Sequence, residues 1–147
     1  MAVSLQSDAD SFSPSAFLTR VESHAVSGWS SGKLAVLRTL LNEDASPARA
    51  VFALGNGVLA AQAVPAALWA FVRGARSFER SILTAASLGG DVDTICAMTG
   101  ALAGALCGHT GLPRHWLANL AHEQPGVDDI LVIGRALLES SAAETQR

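Results

Sequence analysis

Cysteine is scarce in this 147-residue chain, which has only Cys96 and Cys107. Both fall in one predicted helix, about 16 Å apart along its axis, too far for a disulfide. There is no CxxC pattern to suggest zinc. Charge is also sparse, with 16% charged residues and a net charge of −3. No basic run is present, so the clustered Lys/Arg footprint of a nucleic-acid binder is missing. The longest apolar candidate for a membrane span, Ile95 to Cys107, is well short of the roughly 20 residues needed. Met1 to Asp10 lacks the apolar core of a signal peptide. These absences predict a soluble, cytoplasmic chain. His24, His109, His115 and His122 include no pair at i, i+4 spacing and are expected in ordinary surface or loop roles, since zinc needs at least three suitable ligands. No Gly-x-Ser-x-Gly elbow supports serine-hydrolase chemistry, and no segment shows convincing strand alternation.

What is present is apolar and helical. Half of the residues are hydrophobic, many of them alanine, and the length suits one domain with a real core. Residues 1–12 are expected to be disordered, 13–140 to form the helical domain and 141–147 a polar tail. Ser13-Pro14 and Ser46-Pro47 each have the form of a helix start, a serine cap followed by proline in the first turn. Ser27-Gly28 and Ser30-Ser31-Gly32 are expected to interrupt the chain between two helices. Pro65 is expected in the first turn of a helix carrying Leu68, Trp69 and Val72. A further helix is marked by Phe78, Ile82, Leu83 and Ala86. Another, from about Asp93 to Gly108, carries Gly100, Gly104 and Gly108 at four-residue intervals. Close packing of a neighbouring helix explains that spacing, and this helix is expected to be the buried centre. A shorter helix follows at Trp116, Leu117 and Leu120, and a last amphipathic helix at Ile130, Ile133, Leu137 and Leu138. The predicted class is all-α.

The chemistry is expected at Gly89-Gly90-Asp91-Val92-Asp93-Thr94. Two carboxylates and a hydroxyl fall within four residues where a helix begins. Asp and Thr oxygens suit a hard divalent cation such as Mg²⁺, and the helix N-terminus favours anions such as phosphate. The glycine pair lets a ligand or another backbone come close. The same residues also read as a plain N-terminal cap, with Asp91 or Asp93 accepting hydrogen bonds from free backbone N–H groups. Gly55-Asn56-Gly57 reads either as a helix stop and turn or as a backbone cradle for a ligand. Asp128-Asp129 at a later helix start is read as complementing the helix dipole.

Gly89-Gly90-Asp91-Val92-Asp93-Thr94 followed by Met98-Thr99-Gly100-Ala101-Leu102-Ala103-Gly104 resembles the C-terminal metal motif of the ADP-ribosylglycohydrolases. Leu54-Gly55-Asn56-Gly57-Val58 with Val64-Pro65-Ala66-Ala67-Leu68 resembles the segment preceding it in that family, in the same order and separation. The resemblance spans roughly Ala48 to His122. It implies an all-helical fold and two Mg²⁺ ions in a cleft, with Asp91, Asp93 and Thr94 as metal ligands. It also implies that Asn56, Gly57 and Val58 lie beside ADP-ribose, and that the reaction is hydrolysis of an ADP-ribosyl linkage to a protein side chain or related acceptor. Thr94 resembles the serine-directed, O-linked branch more than the arginine-directed one. Val92 replaces a common threonine between the ligands. The family's second metal motif, a Thr-Asp-Asp-Thr-like string, has no counterpart here, so the resemblance is to the C-terminal part. The expected chain therefore supplies half of a two-metal site, completed by a missing N-terminal half or by self-association. The alternative is a non-catalytic helical module that binds ADP-ribose or a protein partner.

Overall fold

The computed structural model describes residues 11–24, 28–120 and 125–145. The described residues form eight α-helices, with a 3-10 turn at His109–Gly111, and no strand is found among them. The helices are α1 (Pro14–Ser23), α2 (Gly28–Asn42), α3 (Pro47–Leu54), α4 (Ala60–Gly74), α5 (Phe78–Ala86), α6 (Val92–Cys107), α7 (Arg114–Leu120) and α8 (Val127–Thr145). The chain divides into two compact units, Met1–Leu112 and Pro113–Arg147. No helix among the described residues is long and apolar enough to cross a membrane.

Both serine–proline starts form as expected. Ser13 Oγ accepts from the Ala16 N–H and Ser46 Oγ from the Arg49 N–H, each at 3.3 Å. A third serine, Ser77, caps α5 in the same way through the Arg80 N–H. Each side chain satisfies a donor that the first helical turn leaves without a partner.

The centre of the larger unit is α4, not α6. Ten α4 residues are buried, with Trp69, Ala70 and Phe71 fully so. It packs against α2, α3, α5 and α6. Helix α6 buries only a stripe, Ile95, Thr99, Ala103 and Leu106, at helical spacing. Its glycine count suggested a centre, but the smallness of a side chain says nothing of what surrounds it. A Cβ on Gly100 would lie 3.3 Å from Ile82 Cδ1 and one on Gly104 3.8 Å from Phe78, so α5 does pass close by. Gly108 has nothing within 4 Å and instead ends α6 with φ +67. Helices α4 and α5 approach closely at Gly74, where a Cβ would sit 2.4 Å from the backbone of Ser81.

Three further expectations are corrected. Pro65 lies inside α4, as its sixth residue, rather than in the first turn. Its missing N–H removes only the bond to Ala61, and the ring is buried in the core. Ser30-Ser31-Gly32 is helical, within α2; one glycine costs about 1 kcal/mol against alanine, less than the burial of Leu34, Leu37 and Leu40 behind it returns. Leu83 is 56% exposed, while Ser81 and Ala85 are the buried residues of α5. Ser27 and His122 lie outside the described residues.

At the N-terminal edge, Phe12 packs on Phe17 and Phe71 with ring centroids 5.6 and 5.2 Å apart, and Phe17 meets Phe71 edge-on at 5.2 Å. This trio holds α1 against α4. Most of the segment 1–12 lies outside the described residues. The buried hydroxyls are satisfied: Thr99 Oγ1 donates to Ala67 O at 3.3 Å and Ser81 Oγ to Ser77 O at 3.0 Å. Cys96 and Cys107 are free, and burial pushes both thiols above the ordinary range, the Asp93 charge adding to this at Cys96. Thiolate is therefore scarce at neutral pH.

In the smaller unit, the Asp129 carboxylate accepts from the Gly126 N–H at 2.9 Å, so the Asp128-Asp129 pair serves the start of α8 as expected. That helix continues to Thr145, past the serine pair at 140–141, because Ala142, Ala143 and Glu144 are good helix formers.

Candidate functional site

The site starts with how α3 ends. Gly55 N–H bonds to Val51 O at 2.9 Å and the backbone turns left-handed at Gly55, φ +84. The last α3 carbonyls, Ala53 and Leu54, accept from Lys33 Nζ at 2.9 and 3.0 Å. A cation at a helix C-terminus meets both the free carbonyls and the negative end of the dipole. Lys33 is the only lysine in the sequence. Replacing it, Lys33→Met, is expected to cost about 1–3 kcal/mol, measured by urea unfolding, and to loosen the loop that α3 feeds.

That loop is held from two sides. Gln62, in the first turn of α4, reaches back so that Oε1 accepts the Gly57 N–H at 2.9 Å. Its side chain fills the space that a Cβ on Gly55 would need, 2.7 Å from Gln62 Cγ. Asn56 faces the other way: Nδ2 donates to Leu88 O and its backbone carbonyl accepts the Asp91 N–H, both at 2.8 Å. Gly89 and Gly90 both have positive φ, +64 and +68. A Cβ on Gly90 would lie 2.2 Å from the Asn56 carbonyl oxygen. The glycine pair thus admits another backbone, that of Asn56, and the two glycine motifs of the sequence become one structure.

This clamp sets Asp91 at the N-cap of α6, with no side-chain capping bond of its own. The simple cap reading therefore does not account for the Asp91 carboxylate. Asp93 and Thr94, in the first turn, are exposed, and Ile95 directly behind them is fully buried, anchoring the turn to the core. The Asp93 carboxyl is held below its usual range chiefly by a hydrogen bond with the Asp91 side chain, then by the N–H groups of Thr94 and of Asp93 itself. Two carboxyls side by side attract a cation more strongly than either alone. With the Thr94 hydroxyl they are hard oxygen donors in one helical turn, fitted to part of the coordination shell of a divalent cation. No group of three or more His, Cys, Asp or Glu residues that could hold a metal ion is found among the described residues.

The structure therefore joins Asn56, Gly57, Asp91, Asp93 and Thr94 around one clamp. Val58 is 79% exposed beyond it, beside Leu59 at 63%. Sequence reading missed Gln62 and Lys33. Each carried a signal: Gln62 is a single polar residue in an alanine-rich helix start, and Lys33 is a solitary lysine directly before a buried leucine stripe.

An all-helical domain with an acidic helix start tied to a glycine loop defines the class of protein. A family model described as ADP-ribosylglycohydrolase matches residues 2–147, and the chain belongs to that family. It is 37% identical over 97 residues to the ADP-ribosylhydrolase ARH3 of Mus musculus, covering 58% of this chain and 26% of that protein. The Homo sapiens ARH3 is 40% identical over 73 residues, covering 43% of this chain and 20% of that protein. The ADP-ribosylarginine hydrolase Tri1 of Serratia proteamaculans is 44% identical over 59 residues, covering 40% of this chain and 16% of that protein. The chain thus matches about a quarter or less of the length of these relatives.

Proposed function

We propose that this chain supplies one side of a Mg²⁺-dependent ADP-ribosylhydrolase site, acting on the bond between the anomeric carbon of ADP-ribose and an acceptor side chain. The observation that carries the reading is the Asn56 clamp, which ties the glycine loop to the acidic start of α6. Asp91, Asp93 and Thr94 hold metal from this side. Asn56, Gly57 and Val58 border the ADP-ribose, with the loop's shape kept by Gln62. A metal held there would supply Lewis-acid chemistry, with its charge available to a water nucleophile and to developing negative charge. The lowered Asp93 carboxyl keeps its charge at neutral pH beside Asp91. The remaining ligands come from further polypeptide or from a second copy. O-linked ADP-ribose on serine is the favoured acceptor by the Thr94 pattern, and relatives named for ADP-ribosylarginine make arginine-linked substrate the comparison.

The test is calorimetric titration with Mg²⁺ and then with ADP-ribose in its presence. Saturable binding of both is expected. A folded chain that binds neither overturns the proposal. The second reading, a module that binds ADP-ribose without turnover, is favoured by the three-donor share of the site. It predicts binding with no release of ADP-ribose from serine- or arginine-linked peptides at any Mg²⁺ concentration.

Self-association has its own signature. Phe52 is 85% exposed and flanks the loop together with Val58 and Leu59. Large apolar side chains concentrated on a surface mark an interaction site. Sedimentation is expected to show association that weakens in Phe52→Ser; a clean monomer at all concentrations contradicts it.

A further inference from the structure

A second site lies away from the acidic turn, between α4, α5 and the start of α3. It is a cleft of about 410 Å³ lined by Asp44, Pro47, Trp69, Arg73, Arg80, Thr84 and Ser87. Two helical stripes build it. Trp69 and Arg73 are one turn apart on α4, and Arg80, Thr84 and Ser87 follow at i, i+4 and i+7 along α5. The Arg73 guanidinium lies 5.5 Å from the centre of the Trp69 ring and pairs with Asp44 through Nη1 alone. Asp44 reaches it from a left-handed backbone, φ 51. Neither ion pair among the described residues uses Arg80, so the cleft carries one net positive charge after Asp44 is matched by Arg73. Trp69 is fully buried, and its indole Nε1–H has no acceptor among the described residues. Buried donors are normally paired.

We propose that this cleft binds the phosphate group of a small phosphorylated molecule. The acceptor oxygens would take hydrogen bonds from Arg80 and from the Arg73 edge not used by Asp44, with the buried Trp69 ring under Arg73 reporting on the site. Two planar guanidinium groups approaching from different helices suit a tetrahedral oxyanion, with several acceptor oxygens, better than a single carboxylate. The Thr84 and Ser87 hydroxyls now donate to Arg80 O and Thr84 O at 2.7 Å, and they turn outward to a bound oxygen with a simple rotation.

The experiment follows the Trp69 indole N–H resonance, assigned with Trp69→Phe, while inorganic phosphate is added to the full chain at constant ionic strength. Acetate and chloride serve as the other arms. The expected result is a saturable shift with phosphate only, weakened about tenfold or more in Arg80→Gln and further in Arg80→Glu. Arg80 is exposed, so both variants fold, which circular dichroism confirms. Asp93→Asn should leave this phosphate response intact, which separates the cleft from the acidic site. A linear shift, an equal response to acetate, or unchanged affinity in Arg80→Gln overturns the proposal.

Discussion

Asp93→Asn is expected to abolish divalent-cation-dependent release of ADP-ribose, lowering turnover by about 100-fold or more, without unfolding the chain. The side chain is exposed in the first turn of α6, so Asn fits where Asp stood. What is lost is charge. A hard cation discriminates strongly between a carboxylate and a neutral amide when water competes for the same position. The hydrogen bonds that favour the ionised Asp93 carboxyl in the folded chain are weakened by the neutral amide. Melting without metal should therefore be unchanged or slightly lower, while the upward shift in Tm produced by Mg²⁺ disappears. That pairing of results separates a ligand from a structural residue. Release of ADP-ribose at the parent rate by Asp93→Asn, in a preparation where the unsubstituted chain is active, would remove this residue from the site.

The second large effect is at Gly90. Gly90→Ala is expected to destabilise the fold by about 3–5 kcal/mol, and to lower Tm by roughly 10 °C or more. Three costs act together. The left-handed backbone at φ +68 strains an alanine. The new Cβ would stand 2.2 Å from the Asn56 carbonyl oxygen. Moving that backbone away breaks the 2.8 Å bond from the Asp91 N–H. Gly89→Ala is the internal control. It has a similar φ, +64, but its Cβ would meet only Asn56 Nδ2 at 3.9 Å, so backbone strain alone applies, about 1–2 kcal/mol. Equal effects of the two substitutions in urea unfolding would show that conformation, and not the Asn56 contact, governs the turn. Gly90→Ala should also weaken Mg²⁺ binding, because the clamp that sets the position of Asp91 is the part removed.

The acidic turn is therefore a long-range construction. Asn56 and Asp91 are separated by two helices in the chain, and only the packing of α5 and α6 against α4 brings their backbones together. The family model covers the chain from residue 2 to residue 147, while the relatives' local identity falls on a shorter part of it. Within the larger unit, the same helices that build the clamp also carry the arginine-lined cleft on α4 and α5.

The sequence by itself determined what depends on a few neighbouring residues. The serine caps at Ser13 and Ser46, the end of α3 at Leu54, the end of α6 before Gly108 and the placing of Asp91, Asp93 and Thr94 at a helix start all follow from local rules, since a cap or turn is made within about four residues. The all-α class followed from 3.6-residue periodicity without strand alternation. Tertiary structure decided the rest. It made α4 the centre instead of α6, because burial depends on which helices surround a segment and not on how small its residues are. It placed Pro65 within α4, where a buried ring compensates for a missing hydrogen bond. It also chose between the two readings of the glycine pair, because whether a ligand or a backbone occupies the space beside Gly90 is settled by a residue in another loop, Asn56. Such contacts form only when non-local helices pack, and no pattern confined to the turn itself encodes them.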